Sequence, residues 1–449
     1  MFDRKIYKKL IEWKESSKGK TALLIEGARR VGKTTIATYF GEKNFPETVV
    51  FDFSKENKKT ISMFDSIPSK EKMDKFFSDL FMSIDKKIAM HGSLIIFDEI
   101  QFCPKARQAI KHLVADGRYY YIETGSLISI KENVANILIP SEEESIEMLP
   151  MDFEEFLIAI NEDYGLNYIK DLFNDFNIED ERKFHHKFMN QFKLYLAVGG
   201  MPQAVAEYVN SKDLFAVHKV KMSILKLYKN DLTKIDEKYN TLCERMWELI
   251  PSMLSKPKSK FIVSNMKIKK NSVLLQRTIE KIKESKIVNY IPLCYQPKLG
   301  MKLTESGNDF KLFFNDTGLF TALIFEEEKS MKESIYKKLV FSKLDANFGM
   351  LYENVIAQIL VSNGYKPYFY EWNEMVDKKK KYYEIDFLVT KNMNLLPIEV
   401  KKAKNFETTS LDRFIYKYKA KESIILSPKS MKKEDKKVFL PLYMAYLLQ

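Results

Sequence analysis

One nine-residue run, Gly27-Ala28-Arg29-Arg30-Val31-Gly32-Lys33-Thr34-Thr35, constrains this chain more than any other stretch. It matches G-x-x-x-x-G-K-[ST], follows the apolar LLIE and precedes IATYF, the strand–loop–helix setting in which this pattern cradles phosphate. Gly27 and Gly32 let the backbone curl so that successive N–H groups face inward. The helix that starts at the loop adds its positive N-terminal end. Lys33 carries a point charge to the β- and γ-phosphate oxygens, and Thr34 offers a hydroxyl to Mg²⁺. Val31 and Thr35 are counted with the nucleotide-binding residues. Arg29 and Arg30 are counted there too, with a neighbouring domain as the other partner open to them. The ligands implied are ATP and Mg²⁺.

A second acidic signal supports the first. The apolar run Leu94–Phe97 leads into Asp98 and Glu99. A carboxylate at a strand end beside a phosphate loop can hold Mg²⁺, and the next can polarise an attacking water. Asp98 is therefore assigned to the metal and Glu99 to general-base work. The following strand ends in Glu123-Thr124-Gly125-Ser126, where Thr124 and Ser126 are placed to sense the γ-phosphate; an ordinary strand-to-helix turn is the alternative.

The rest of residues 1–155 alternates strand-like runs (21–27, 48–53, 93–99, 119–126) with helix-length segments, which predicts a parallel sheet covered on both faces. The overall class is α/β. Residues 156–240 carry helical periodicity and are expected to form a helical lid. In 241–325, helices over 241–254, 262–267 and 272–285 precede a two-stranded wing, the order of a winged helix. Leu275, Ile279 and Ile282 mark its apolar face. Lys269, Lys270, Gln276, Arg277 and Lys283 lie around that face, either to meet DNA or to sit on a domain that only packs. The segment 330–449 opens on a helix, 351–364, with strands to follow, and the lysine run Lys378–Lys381 reads as a solvated loop.

That last segment holds the second chemical pattern. Asp386 and Glu399 are separated by twelve residues, and Lys401 follows at D-x12-E-x-K spacing. Glu399 and Lys401 are two apart on a strand and so share a face. Asp386 and Glu399 can share a divalent metal while Lys401 steadies the attacking water. Glu353, on the preceding helix, is a third carboxylate. This is the pattern of the restriction-endonuclease-like core, a fold used both for cleavage and for DNA binding alone.

Charge and cysteine content narrow the setting. The net charge of +12, from 73 Lys+Arg against 61 Asp+Glu, fits an anionic partner such as DNA, or simply a lysine-rich surface. Cys103, Cys243 and Cys294 are far apart, which argues against a disulfide framework or a zinc site. No run approaches the ~18 apolar residues of a membrane span, so a cytoplasmic chain is expected. Oligomeric state is left open.

Taken together, GARRVGKTT, IIFDEIQ, the TGS turn, LPMDFEEFL (149–157), YLAVGGMPQAV (195–205), FNDTGL (314–319) and LYENVIAQIL resemble the prokaryotic P-loop ATPases of AAA+ or STAND type that pair an AAA_14 domain with a DUF4143 domain. The resemblance implies a lid behind the ATPase core, with Gly200 and Pro202 near the nucleotide. It also implies a nucleotide switch for a nuclease-like, DNA-binding or DNA-cleaving C-terminal domain, with defence against foreign DNA as the setting. A STAND-type regulator that binds DNA or protein without cleavage is the alternative; a ring-forming motor and a small-molecule kinase are more distant. In the resemblance Glu123 is a departure, since an apolar residue is more usual there.

Overall fold

A computed structural model describes the whole chain except residues 57, 66–71, 87, 90, 127–139, 234–236, 257, 327–348, 403–405 and 449. It divides into two compact units, the first formed by residues 3–149 with 284–286, the second by 150–283 with 287–449.

The first unit is built on a five-stranded parallel sheet of order β2-β3-β4-β1-β5, comprising β1 (Ala22–Glu26), β2 (Thr48–Asp52), β3 (Ser93–Asp98), β4 (Tyr119–Gly125) and β5 (Glu143–Glu147). Its helices are α1 (Ile6–Ser17), α2 (Lys33–Asn44), α3 (Lys58–Ser62), α4 (Met73–Met82) and α5 (Pro104–Asp116). The central strands are apolar on both faces, as a parallel sheet sandwiched by helices requires. Leu24, Phe51, Ile95 and Phe97 join the helix residues Phe77, Leu80, Ile110 and Leu113 in one core. Four of the five strands were legible as apolar runs. The fifth was not: EESIE is almost wholly polar, because β5 is an edge strand that leaves most of its side chains accessible.

The order places β4 between β1 and β3, and the register aligns their ends. Ile25 is opposite Thr124, Phe97 opposite Glu123, and Asp52 opposite Asp98. The phosphate loop, the acidic pair and the TGS turn therefore emerge at one carboxyl edge of the sheet, where open α/β sheets bind ligands.

The second unit carries ten helices among its described residues: α6 (Phe153–Ala159), α7 (Asp163–Asn174), α8 (Ile178–Val198), α9 (Pro202–Ser211), α10 (Leu214–Leu232), α11 (Glu237–Leu254), α12 (Val273–Glu284), α13 (Thr317–Ile324), α14 (Gly349–Ser362) and α15 (Thr409–Tyr418). Its sheet has eight strands in the order β12-β13-β11-β10-β9-β8-β6-β7, with parallel and antiparallel neighbours mixed. These are β6 (Val288–Cys294), β7 (Glu305–Phe314), β8 (Tyr368–Val376), β9 (Lys379–Lys391), β10 (Asn394–Val400), β11 (Ser423–Ser427), β12 (Lys432–Glu434) and β13 (Lys437–Pro441).

The helix–short helix–helix–hairpin order expected over 241–325 is present, with a 3₁₀ turn at Val263–Met266 as the middle element. Its hairpin, β6–β7, also forms one end of the eight-stranded sheet, because Leu293 pairs in parallel with Phe369 of β8. The lysine run differs from expectation. Only Lys378 is in the turn, with Asp377; both have positive φ (50° and 62°), and Lys379–Lys381 already belong to β9. A two-residue turn of this kind matches the twist of the flanking strands.

Four stretches of sequence singled out above meet in a buried knot of this unit. Asp316 accepts from the N–H of Gly200 (2.6 Å) and of Leu319 (2.8 Å), while Met151 N–H donates to Gly200 O (2.7 Å). Gln358 of α14 accepts from Thr317 N–H (2.9 Å) and donates to Tyr195 OH (2.9 Å), which donates to Met151 O (2.8 Å). Glycine is required here, since a Cβ on Gly200 would lie 1.9 Å from Met151 O and one on Gly199 2.8 Å from the Gly318 Cα. Pro202 opens α9 at its first turn, where its missing N–H costs nothing.

Candidate functional site: the phosphate loop

The loop from Gly27 to Gly32 links β1 to α2 with three positive φ angles, at Gly27 (148°), Arg30 (66°) and Gly32 (101°). A Cβ on Gly27 would meet Met148 O at 2.2 Å, so only glycine lets the chain turn there. Lys33 is buried, and its Nζ donates to Gly27 O (3.0 Å) and Ala28 O (2.9 Å), bridging the mouth of the loop. Val31 is fully buried and anchors the loop, with Arg4 donating to its carbonyl at 3.0 Å; Arg30 and Thr35 face solvent, and Arg29 is half-buried.

Thr34, Asp98 and Thr124 converge from three elements. Thr34 Oγ1 donates to Asp98 Oδ1 at 2.7 Å, and Thr124 Oγ1 donates to the same oxygen. Burial raises the Asp98 carboxyl above its usual range, with these two hydroxyls pulling the other way. Hard oxygen donors from a loop hydroxyl and a strand-end carboxylate suit Mg²⁺. Thr34 and Asp98 would hold it; the ion supplies positive charge for the phosphate oxygens. Thr124, expected to face the γ-phosphate, contacts the Asp98 carboxylate, and the Glu99 N–H approaches its hydroxyl at 3.5 Å. Ser126 is half-buried just beyond β4.

Glu99 adopts a left-handed backbone (φ 53°), which turns its side chain away from the direction β3 would give it. Gln101 Nε2 donates to its carboxylate. The glutamate is thus held beside the sheet edge by a neighbour that sequence reading did not identify. Glu123 fills a different role. It is fully buried on the other side of β4, and burial, then the neighbouring Glu143, push its carboxyl far above the usual range. Arg107 clamps Glu143 with two bonds of 2.6 and 2.8 Å. The departure of Glu123 from the apolar pattern is therefore absorbed by a buried charge cluster with Glu143 and Arg107.

The second unit gathers the other set of site residues. Glu399 is 1% exposed, with Lys401 Nζ 2.5 Å from its Oε2; the contact is an ion pair without hydrogen-bond alignment. Burial first, offset by Lys401, raises the Glu399 carboxyl to about 7. Asp386 Oδ2 accepts from the Val400 N–H at 2.8 Å, tying β9 to β10. Glu353 accepts from Ser259 Oγ at 2.8 Å. Sequence reading missed Ser259, Glu384 and Lys311; the last is fully buried on β7, 2.6 Å from Glu384 and 3.9 Å from Glu353. A buried Glu399 whose Oε2 already faces the Lys401 ammonium fits a cation, but among the described residues no three His, Cys, Asp or Glu side chains gather as metal ligands. The basic positions around α12 are partly neutralised, with Lys270 paired to Asp309 (2.7 Å) and Arg277 to Glu280 (3.1 Å).

Comparison with known proteins agrees with the loop. Residues 19–157 match the AAA domain family AAA_14, residues 189–330 a domain of unknown function, DUF8612, and residues 348–445 a second, DUF4143. The chain therefore joins a P-loop ATPase domain of the AAA type to a C-terminal DUF4143 domain. No curated protein matches. Among solved structures, the Walker-type ATPase PABY2304 of Pyrococcus abyssi is 14% identical with a TM-score of 0.40, covering 72% of this chain and 96% of that one. The ORC1 protein of Aeropyrum pernix, solved in complex with DNA, is 11% identical at 0.29, covering 73% and 93%. The STAND protein PH0952 of Pyrococcus horikoshii, with a tetratricopeptide repeat sensor, is 13% identical at 0.25, covering 80% and 48%. None reaches a TM-score of 0.5, so the ATPase assignment stands on the family match and the loop geometry. Among the described residues no helix is long and apolar enough to cross a membrane.

Proposed function

We propose that this chain is a nucleotide switch in which Mg-dependent ATP hydrolysis by the first unit controls a nuclease-like, DNA-binding or DNA-cleaving centre in the second. The observation that carries the reading is the convergence of Lys33, Thr34, Asp98 and Thr124 at one sheet edge. In the reaction proposed, Lys33 exchanges its loop carbonyls for β- and γ-phosphate oxygens. Glu99, released from Gln101, accepts the proton of the attacking water. Thr124 holds Asp98 in place throughout.

For the second unit, the support is the buried Glu399 on β10, with the half-buried Asp386 on the adjacent β9 and the half-buried Lys401 just past the end of β10, at the spacing set out above. DNA cleavage, its use in defence and the part of Gly200 and Pro202 in reporting the nucleotide state belong to this proposal alone. A regulatory ATPase that binds DNA or protein without cutting is the second reading, favoured by the lack, among the described residues, of three His, Cys, Asp or Glu side chains gathered as metal ligands. Plasmid and linear DNA incubated with the full chain, Mg²⁺ or Mn²⁺, with and without ATP, separates them. Cutting that disappears in Lys401→Ala and changes with ATP supports the switch with a cleaving centre; intact DNA under every condition favours the regulatory reading.

A further inference from the structure

The carboxylate cluster of the second unit contains a cation of its own. Lys311 sits in the interior of β7, opposite Ile291 of β6, with no surface exposed. A lysine normally buries its stem and lifts its ammonium into water. This one cannot, because the strand on which it sits is paired and its side chain is covered. Burying an unpaired ammonium costs several kcal/mol, so an apolar residue would be the cheaper choice at this position.

What retains the charge is the company it keeps. Its Nζ lies 2.6 Å from Glu384 Oε1 and 3.9 Å from Glu353 Oε2, and the Phe369 ring is 5.2 Å away. The Glu384 contact is the closest of these, an ion pair at 2.6 Å. Burial opposes its charge, but Glu384, Glu353 and Asp386 outweigh burial and raise its pKa. Ser259 and Lys401 complete the wall, on Glu353 and Glu399 respectively.

We propose that Lys311 is a resident cation, its ammonium standing where an ion from solution would otherwise lie against Glu384 and Glu353. It closes that side of the cluster to metal and confines any ion from solution to the Asp386–Glu399 side. This inference rests on reading the cluster as a cation centre, and it concerns charge rather than cleavage. It also gives β7, a strand of the hairpin rather than of the D-x12-E-x-K segment, a direct part in that centre.

The test uses the full chain and Mn²⁺ as the probe. Melting temperature in EDTA and in a Mn²⁺ series, with Mn²⁺ stoichiometry from calorimetry, is measured for wild type, Lys311→Met and Lys311→Met/Glu384→Gln. Lys311→Met is expected to melt about 5 °C or more lower in EDTA, a shift of the size that losing one buried charge pair gives. Mn²⁺ should restore most of that loss, with one more ion bound per chain than in wild type. The double variant should melt near wild type without metal and gain no ion. Three results overturn the proposal: unchanged melting of Lys311→Met in EDTA, a loss that Mn²⁺ does not restore, or a double variant that fails to fold. DNA cleavage does not enter these readouts, so a wild-type chain that never cuts DNA sinks the nuclease reading while leaving the role of Lys311 to be decided by the melting data.

Discussion

The phosphate loop and the carboxylate cluster are both charged sites built on a sheet, yet they are assembled in opposite ways. The loop is contiguous: the nine-residue run from the end of β1 into the first turn of α2 supplies its backbone curve and its lysine, and Asp98 and Thr124 are added by β3 and β4 of the same sheet. The cluster is dispersed. Ser259, Lys311, Glu353, Glu384, Asp386, Glu399 and Lys401 come from six separate elements or turns across 143 positions of sequence. In the loop, Lys33 rests on neutral carbonyls that it can leave; in the cluster, Lys311 is locked between carboxylates. The first arrangement suits a site that takes a charged ligand on and off. The second holds its charge balance internally.

Substitutions can break that contrast, and the largest effect is expected at the loop. Lys33→Ala should lower ATP affinity and turnover by on the order of 10³-fold or more, as expected when a phosphate-directed charge is removed from a preorganised site. Binding of a fluorescent ATP analogue reads this directly, and wild-type affinity would move the phosphate site elsewhere. Glu99→Gln should leave that binding intact and slow hydrolysis at least ~10²-fold, the contribution of a general base. Unchanged phosphate release in this variant would pass the role to another residue.

A structural substitution comes next. In Gly200→Ala the added methyl meets the Met151 carbonyl at 1.9 Å, backbone against backbone with no flexible end to yield. A loss of roughly 3 kcal/mol of stability is expected, visible as a lower denaturant midpoint. A neutral effect would mean that the knot around Asp316 is looser than its hydrogen bonds indicate. The smallest effect concerns pH. The folded chain holds the Glu399 carboxyl at about 7, above its unfolded value near 4.5, so between those values the folded state binds the extra proton. Stability from this group is full below pH 4.5 and is lost as the pH rises through 7. In EDTA, Glu399→Gln should therefore flatten the decline in melting temperature between pH 5 and 8; an identical pH profile in both proteins would remove the buried carboxylate as its source.

The same contrast explains what the sequence made legible. Gly27, Gly32, Lys33, Thr34 and Asp98 could be assigned because local chain geometry alone dictates their types and spacing. Asp386, Glu399 and Lys401 were visible for the same reason, since one hairpin and strand alternation bring them together. Lys311 and Glu384 were not, because nothing in an alternating strand distinguishes an inward lysine from a solvated one until its neighbours are known. The polar β5 was hidden by its edge position, and the burial of Glu123 by its dependence on Arg107 and Glu143, which lie elsewhere in the sequence. Gln101 lies within the quoted IIFDEIQ stretch, but its hold on Glu99 depends on the positive φ of Glu99, which no spacing reports.

Phosphate release from ATP by the wild-type chain, followed with Mg²⁺ and again with EDTA, tests the central claim most directly. Turnover that requires Mg²⁺ and disappears in Lys33→Ala is the result expected from the geometry of Lys33, Thr34 and Asp98. A chain that binds ATP through Lys33 but releases no phosphate with Mg²⁺ would contradict the account, leaving a nucleotide-binding fold without a working hydrolytic centre.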